Sequence, residues 1–455
     1  PVDMPFWLEY QLDAPVLLFV TGITVVAAMV SGVIPAVQAT RGDVTEILKD
    51  ESRGSSSLRI GRLSRGLVVA EVAFSMGLLV AAGLMTKSVV QLRTFEYPFL
   101  HENVFTARVG LFEADYPDAA ERRRFFDRVE ERLAGLPGAE AVTVTNNLPG
   151  LNAWPTPVAI EGRGYGGSQD YPSAFYTIAT PSFFRTFGVE VLRGRGLGPE
   201  DEEGSLPVAV VNRSFAAKHF PGEDPLGERF RLGRADSEEP WLTVVGVVPD
   251  LYMQGLGNPE DEDGTGFYIP LAQSDLRFAS LAIRAGSAPL SLTAAVRDAV
   301  AAVDPDIPLY WVDTLDGRIA EATWFYRVFG TLFMVFGAVA LFLASVGLYG
   351  VMAFGVSRRA HEVGIRMALG ARSADVVRMV VRQGLVQVGF GLGLGLGLAL
   401  VIGRGLQLVL FDVEPQDPAV ISGIALLLLA TGLLASLLPA GRASRVDPVD
   451  ALRAE

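Results

Sequence analysis

A charged segment between two long apolar stretches has the residue types of a docking surface rather than of a catalytic centre. Within residues 357–379, Arg358, Glu362 and Arg366 are spaced four apart. On a helix they form one charged row, in which the carboxylate can pair with either guanidinium. The apolar residues of this segment fall mostly on the opposite side. A short amphipathic helix of this kind can receive a partner and transmit its push. The alternative is a basic loop that only fixes the topology of the chain in a membrane.

The same segment contains the signals that end one helix and begin another. Gly370 can take the left-handed conformation that caps the first helix. Ser373 can then N-cap a second helix, with Asp375 in its first turn, where the positive end of the helix dipole stabilises a carboxylate. We therefore predict a stiff helix–turn–helix connection between two apolar stretches.

Motifs for nucleotide chemistry and hydrolysis are absent from the sequence. A P-loop places a lysine after a glycine-rich turn, whereas Lys49, Lys87 and Lys218 lack that framework. There is no GxSxG or HExxH motif. The three histidines are far apart and there is no cysteine, which argues against a His/Cys metal site and excludes disulfides. We expect no enzyme activity, no cofactor and no metal site in this chain.

Composition places these residues in a membrane protein with a large aqueous domain. The 455 residues are 50% hydrophobic with a mean hydropathy of +0.34, yet 20% are charged, so the apolar residues must be segregated. The net charge of −13 argues against nucleic-acid binding and is explained by solubility of the polar middle region.

Five apolar stretches are long enough to cross a bilayer, which takes about 20 residues. They cover residues 15–37, 66–90, 325–355, 380–410 and 418–439. With five spans, the arginine-rich segments at 41–65, 358–378 and 442–453 all fall on one side, which the positive-inside rule makes cytoplasmic. We predict a multi-pass protein of the cell (inner or plasma) membrane with residues 98–322 extracytoplasmic.

Glycines alternate along the fourth apolar stretch. Gly389, Gly393 and Gly397 are four residues apart and form one row on a helix, which predicts a close helix-packing face rather than a lined pore. No ionisable residue lies mid-span in the last three stretches apart from Arg404, which is near the outer end of its helix. There is therefore little sign of a proton relay or an ion path.

The two ends of the sequence repeat each other. Residues 34–51 (IPAVQATRGDVTEILKDE) match residues 438–455 (LPAGRASRVDPVDALRAE) in register, and Asp13 aligns with Asp417, each just before an apolar stretch. We interpret residues 1–51 as the last helix and tail of one unit, followed by a complete second unit. On this interpretation most of the first unit is missing from the sequence.

The polar middle has the pattern of two βαβ-like units flanking an insert. Strands are predicted at 104–111, 141–146, 280–285 and 307–313, with helices at 118–136 and 290–303. Two such units can share one sheet in a ferredoxin-like arrangement. The insert, 150–275, holds short strands punctuated by glycine and proline and is predicted to be mostly β. The predicted fold class is an α-helical transmembrane bundle plus an α+β extracytoplasmic domain.

Several stretches resemble MacB/FtsX-type ABC transporter permeases. VGLYGVMAFGVSRRAHEVGIRMALGAR at 346–372 and LPAGRASRVDPVDALR at 438–453 look like the permease domain, and ATPSFFRTFGVEVLRGR at 179–195 is similar to the periplasmic core domain. The duplication points to the acidobacterial duplicated orphan permeases (ADOP). The resemblance implies the last helix and tail of a preceding unit at 1–51. It further implies a cytoplasmic loop and first helix at 52–97, a core domain at 98–322, and an FtsX-like domain at 323–455 with three spans and a coupling loop at 357–379.

The resemblance also implies a function and partners. The cytoplasmic loop would contact a separate ABC ATPase, and the second permease unit, fused or as a dimer, and the lipid bilayer would be the other partners. The ATPase would move the extracytoplasmic domain without substrate passing between the membrane helices. The alternative is an FtsX-like regulatory membrane protein that controls an envelope enzyme. The implied coupling residues are Arg358, Arg359, Glu362, Val363, Gly364, Ile365, Arg366, Met367, Leu369 and Gly370.

Overall fold

The computed structural model describes residues 13–40, 55–151, 153–167, 170–256, 264–358, 365–367 and 372–443. The chain divides into two compact units. The helical unit consists of Pro1–Lys87, Val328–Leu408 and Val413–Glu455. The α+β unit consists of Ser88–Arg327 and Val409–Asp412.

The described α-helices are, in chain order, α1 (Ala14–Thr40), α2 (Ser55–Arg93), α3 (Ala119–Ala134), α4 (Phe183–Thr186), α5 (Arg213–His219), α6 (Thr293–Ala301), α7 (Leu315–Ala322), α8 (Trp324–Arg358), α9 (Ser373–Leu406) and α10 (Pro418–Ala443). The described strands are β1 (Val104–Gly110), β2 (Ala139–Thr145), β3 (Pro155–Ile160), β4 (Ser173–Ala179), β5 (Arg193–Gly194), β6 (Val208–Asn212), β7 (Arg229–Leu232), β8 (Leu242–Val248), β9 (Gly266–Pro270), β10 (Phe278–Ala285) and β11 (Tyr310–Thr314).

Four of the five predicted spans are confirmed as helices long and apolar enough to cross a bilayer. They are Arg65–Arg93, Trp324–Ser357, Ser373–Leu406 and Pro418–Arg442. The remaining predicted span lies in α1, where the apolar stretch among the described side chains, Ala14–Met29, is shorter than a bilayer requires. Whether α1 spans the membrane therefore stays a prediction.

Helix α2 lies at the centre of the helical unit. In its most apolar window 61% of the residues are buried, against 17–28% for the spans of α8, α9 and α10. Val68, Val72 and Met76 of α2 are each at most 3% exposed. Helices α8, α9 and α10 each contact α2 and keep wide apolar faces on the outside, as expected where the surrounding medium is lipid.

The ferredoxin-like prediction for the α+β unit is confirmed. Strands β11, β1, β10 and β2 lie side by side in that order, and each neighbouring pair is antiparallel. Helices α3 and α6 pack on this sheet through side chains that are fully buried, including Phe125, Phe126, Val129, Val296 and Val300. The alternation of two strand–helix–strand units in the sequence accounts for this order.

The insert forms a closed six-stranded barrel. Strands pair in the order β4, β3, β7, β8, β6 and β9, and β9 returns to pair with β4 in parallel. Closure leaves no free strand edge around the ring. A single bridge, Thr145 to Ala179, joins the ring to the ferredoxin-like sheet. The sequence predicted a mostly β insert, but β5, β7, β9 and the helices α4 and α5 were not predicted.

Candidate coupling site

The structure describes part of the predicted coupling segment. The backbone of Arg358 ends α8, and Ile365, Arg366 and Met367 are described. The other predicted residues, Arg359, Glu362, Val363, Gly364, Leu369 and Gly370, lie outside the described residues. The assignment of this segment to coupling therefore stays a prediction. The described residues show only how residues 365–367 contact the two adjoining helices.

The described part of the segment is anchored to both adjoining helices. Met367 packs on a small apolar cluster centred on the buried Val376 of α9, together with Val356 of α8 and Met379 of α9. Arg366 adds a contact from its Nη1 to the sulfur of Met379 at 3.0 Å. A displacement of residues 365–367 would therefore act on α8 and α9 together.

Helix α9 begins one residue earlier than predicted. The N-cap is Arg372, not Ser373, and Ser373 is the first helical residue. Asp375 lies in the first turn as predicted, and its Oδ2 accepts a hydrogen bond from the Arg372 backbone N–H at 3.1 Å. The carboxylate does at this position what a Ser373 cap would have done, because it satisfies a free N–H at the helix start.

The predicted glycine packing row makes no close contact with the described part of this chain, so its role in helix packing stays a prediction. Gly389, Gly393 and Gly397 face outwards, and no described atom lies within 4 Å of a Cβ built on any of them. The close contacts use the alternate row: a Cβ on Gly391 would lie 2.6 Å from the Cβ of Val72, and one on Gly395 would lie 2.6 Å from the Cβ of Met76.

An ion pair that sequence reasoning missed lies at the predicted outer end of the helical unit. Lys87 of α2 donates to Asp417, the residue before α10. The Asp417 Oδ1 also accepts from the backbone N–H groups of Ala419 at 2.8 Å and Val420 at 3.0 Å, so Asp417 N-caps α10. The hydrogen bond from Lys87 is the main cause that lowers the pKa of Asp417. A separation of 330 residues left no local signal for this pair.

The segment that follows α9 is held in the core of the α+β unit. The ring of Phe411, which is 1% exposed, packs edge-on against Phe95 at 5.4 Å and against Tyr326 at 6.2 Å between ring centroids. Its backbone N–H donates to the Ser88 hydroxyl at 2.7 Å. Residues that follow α2, begin α8 and follow α9 thus meet in one aromatic cluster, which consists of Phe95, Tyr97, Tyr252, Phe325, Tyr326 and Phe411.

Glu130 and His219 are two of the titratable side chains that residues of the fold surround in the α+β unit. Glu130 accepts hydrogen bonds from Thr180 at 2.8 Å and Ser182 at 2.7 Å, and burial raises the pKa of its carboxyl. Burial also lowers the pKa of His219 to about 4. No group of three His, Asp or Glu side chains in the described part of the chain is arranged to hold a metal.

Comparison with known proteins accounts for both units. A model of the MacB-like periplasmic core domain matches residues 16–303, and a model of the FtsX-like permease C-terminal domain matches residues 334–448. The pyoverdine export ATP-binding/permease protein PvdT of Pseudomonas putida is 28% identical over 302 residues, which cover 62% of this chain and 43% of PvdT. The macrolide export ATP-binding/permease protein MacB of Rhodospirillum rubrum is 29% identical over 354 residues, which cover 71% of this chain and 48% of MacB.

The chain spans less than half the length of these curated relatives. Among solved structures, the periplasmic region of MacB from Actinobacillus actinomycetemcomitans aligns with 51% of this chain and 95% of its own length, at 16% identity and a TM-score of 0.33. The matched domains and the four apolar helices confirm a multi-pass inner-membrane protein with residues 98–322 on the periplasmic side. The chain belongs to the MacB/FtsX-type ABC permease family, with a MacB-like periplasmic core domain and an FtsX-like C-terminal domain.

Proposed function

We propose that this chain is a non-enzymatic permease subunit that couples a separate ABC ATPase to movement of its periplasmic domain. One observation carries the proposal: α8 and α9 are continuous helices of 35 and 34 residues whose two ends are both held. Met367 of the coupling segment packs against both helices at one end. Tyr326 at the start of α8 and Phe411 just after α9 are buried in the aromatic cluster of the α+β unit at the other end.

Such a connection can transmit force because helices are stiff along their axes. Each of these helices is about 50 Å long at 1.5 Å per residue, which exceeds the bilayer hydrocarbon of about 30 Å. The close contacts of Gly391 and Gly395 with α2 hold α9 against its neighbour. A push at residues 357–379 is therefore expected to move the periplasmic end rather than to be absorbed by loose packing.

The driving partner would be an ABC ATPase, since the PvdT and MacB relatives are named ATP-binding/permease proteins. A second permease unit, fused or as a dimer, would complete the assembly. The work done outside the membrane would be export or envelope maintenance.

The domain boundaries and the ADOP assignment are part of this proposal. Asp13 directly precedes α1 and Asp417 directly precedes α10, so the two aligned aspartates stand at equivalent helix starts. Both helices also contain the aligned proline, Pro35 or Pro439. Every described side chain of α1 is exposed, which is consistent with a helix whose packing partners belong to another unit. We therefore assign residues 1–51 to a preceding unit and 52–455 to a second unit with its domains as predicted.

The test uses the full chain purified from native membranes together with the ABC ATPase that copurifies with it. We expect Glu362→Lys to reverse the charge of the predicted coupling row and to abolish stimulation of ATP hydrolysis, and Gly370→Pro to do the same by breaking the helix end. Glu238→Lys, at an exposed position of the α+β unit, is the matched control. Unchanged stimulation in Glu362→Lys would contradict the proposal.

The regulatory alternative uses the same coupling step and differs in what the periplasmic domain acts on. If residues 98–322 capture a cell-wall hydrolase, and deletion of the chain causes no export defect, the regulatory function is favoured over export.

A further inference from the structure

A cleft of about 610 Å³ opens between the start of the membrane span in α2 and the first half of α9. Three arginines line it: Arg65 from α2, and Arg378 and Arg382 from α9. Both helix ends lie on the side that the topology makes cytoplasmic, because α2 leads into the periplasmic domain and α9 follows the coupling segment. The cleft therefore lies at the depth of the cytoplasmic lipid headgroups.

The charges of the lining favour an anion. Arg378 and Arg382 are four residues apart and exposed, so their like charges share one face of α9. The acidic member of the lining, Asp375, accepts a hydrogen bond from the Arg372 backbone N–H. Arg378 and Arg382 against the one carboxylate of Asp375 leave the cleft with an excess of positive charge.

A buried side-chain amide in the same cleft lacks hydrogen-bond partners in the described part of the chain. Gln387 of α9 also lines the cleft and is 5% exposed, yet neither its Oε1 nor its Nε2 has a hydrogen-bond partner among the described residues. Burying an amide without hydrogen-bond partners is unfavourable, so a polar ligand atom would be favoured beside it. Gln387 lies five residues beyond Arg382, which places it about 7–8 Å deeper along the helix axis.

We propose that this cleft binds the headgroup of an anionic glycerophospholipid from the cytoplasmic leaflet. The lipid phosphate would lie against Arg378 and Arg382, and a glycerol hydroxyl or ester carbonyl would reach Gln387. The spacing distinguishes a lipid from free phosphate, since one phosphate cannot contact groups separated by that depth, whereas the phosphate and the ester linkages of a phospholipid are stacked in this way. Arginine pockets between membrane helices on the cytoplasmic side suit such headgroups. This site does not depend on the ATPase-coupling function.

Native mass spectrometry of the full chain in detergent, with added phosphatidylglycerol, cardiolipin or phosphatidylcholine, tests the site. We expect retained phosphatidylglycerol or cardiolipin and little phosphatidylcholine. Arg378→Gln is expected to weaken anionic-lipid binding about fivefold, and the double variant with Arg382→Gln by more than tenfold, at about 1 kcal/mol per charge. Arg404→Gln, an exposed arginine near the other end of α9, is the matched control and should bind lipid like the unmodified chain.

Gln387→Leu separates a ligand site from a packing defect. The substitution removes the polar atoms at similar volume, so we expect lipid binding to fall while the thermal stability of the delipidated chain stays the same or rises. If Gln387→Leu and the arginine double variant bind phosphatidylglycerol as tightly as the unmodified chain, the site is overturned. If millimolar glycerol 3-phosphate or inorganic phosphate displaces the lipid completely, the cleft recognises phosphate alone and the lipid assignment is overturned.

Discussion

His219 is the buried histidine of the periplasmic domain, and its protonation should destabilise the barrel. It is 2% exposed, its ring lies 4.5 Å from that of Phe215, and burial lowers its pKa to about 4. Since the folded pKa is below the unfolded value of about 6.5, the folded chain binds fewer protons between these values, and stability is lost as the pH falls through this window. We predict a loss of about 2 kcal/mol between pH 7 and pH 5. Hydrogen exchange of β6 and α5, corrected for intrinsic rates, measures it.

Two variants identify the group responsible for that pH dependence. His219→Phe replaces the ring with one that cannot be protonated, so the exchange protection of β6 and α5 should become independent of pH over this range. His101→Gln changes a histidine that is paired with Asp316 elsewhere in the α+β unit and should leave the dependence intact. An unchanged pH dependence in His219→Phe would assign the effect to another group.

Asp417 has two roles that substitutions can separate. Asp417→Asn keeps an oxygen that can cap α10 but loses the charge that pairs with Lys87, whose side chain is 40% exposed. Because partly exposed ion pairs contribute little, we expect Asn to cost less than about 1 kcal/mol, and Asp417→Ala to cost about 1–2 kcal/mol by also removing the cap. Thermal unfolding of the full chain in detergent should rank the two in that order, and equal shifts would mean that the cap contributes nothing.

The pH dependence at Asp417 has a definite sign. The pKa of this carboxyl is lowered, chiefly by the Lys87 hydrogen bond. Its contribution to stability is therefore fully present above the unfolded pKa of about 3.9 and is lost as the pH falls through the lower, folded value. The Asp417→Asn variant should lack this acid-dependent component.

At the scale of a helix, substitutions in the two glycine rows of α9 should have opposite effects on stability. A Cβ on Gly395 would lie 2.6 Å from the Met76 Cβ and 3.0 Å from the Ala73 carbonyl oxygen, so Gly395→Ala must separate α9 from α2. Overpacking of this kind costs about 1–3 kcal/mol. Gly393→Ala meets open space and also removes the flexibility of glycine in a helix, so it should be neutral or stabilising. The thermal midpoints of the two variants measure the difference, and equal midpoints would contradict the observed packing.

The glycines also show where sequence reasoning reached its limit. Alternation at every second position generates two rows, and both satisfy the spacing rule for close packing. The choice between them is made by Val72 and Met76 on α2, more than 300 residues away in sequence, so no local pattern could supply it. By contrast, the ends of the spans were predictable, since each is set by a local change from apolar to polar residues.

In the periplasmic domain, too, one part of the fold was predictable from local sequence and another part was not. The four ferredoxin-like strands were predictable because each borders a helix with clear periodicity. Closure of the barrel was not, because it depends on β9, whose sequence GFYIP is fully buried and shows no alternation. Its partners β4 and β6 are far from it in the chain. Asn212 strengthens this closure, since its side chain caps α5 and accepts from the Gly266 backbone N–H at 2.9 Å.

At the scale of the whole molecule, the proposed mechanism requires the aromatic cluster around Phe411 to act as a mechanical link. Phe411→Ala removes a fully buried ring from the segment that continues α9, and Phe411→Leu retains most of the apolar contact. We expect the alanine variant to keep ATP hydrolysis by the bound ATPase while losing the ATP-driven movement of the periplasmic domain. The leucine variant should retain much of that movement.

The absence of cysteine from the sequence makes this movement measurable with two introduced labels. Trp154→Cys places one on an exposed position of the α+β unit and Gln416→Cys places another before α10. The distance between the labels should change with ATP in the unmodified background and in Phe112→Ala, which truncates an exposed ring away from the cluster. An ATP-dependent change that persists in Phe411→Ala would show that force reaches the periplasmic domain by another route. Loss of both hydrolysis and movement would indicate a folding defect, which the leucine variant and hydrogen exchange at Phe95 and Tyr326 would detect.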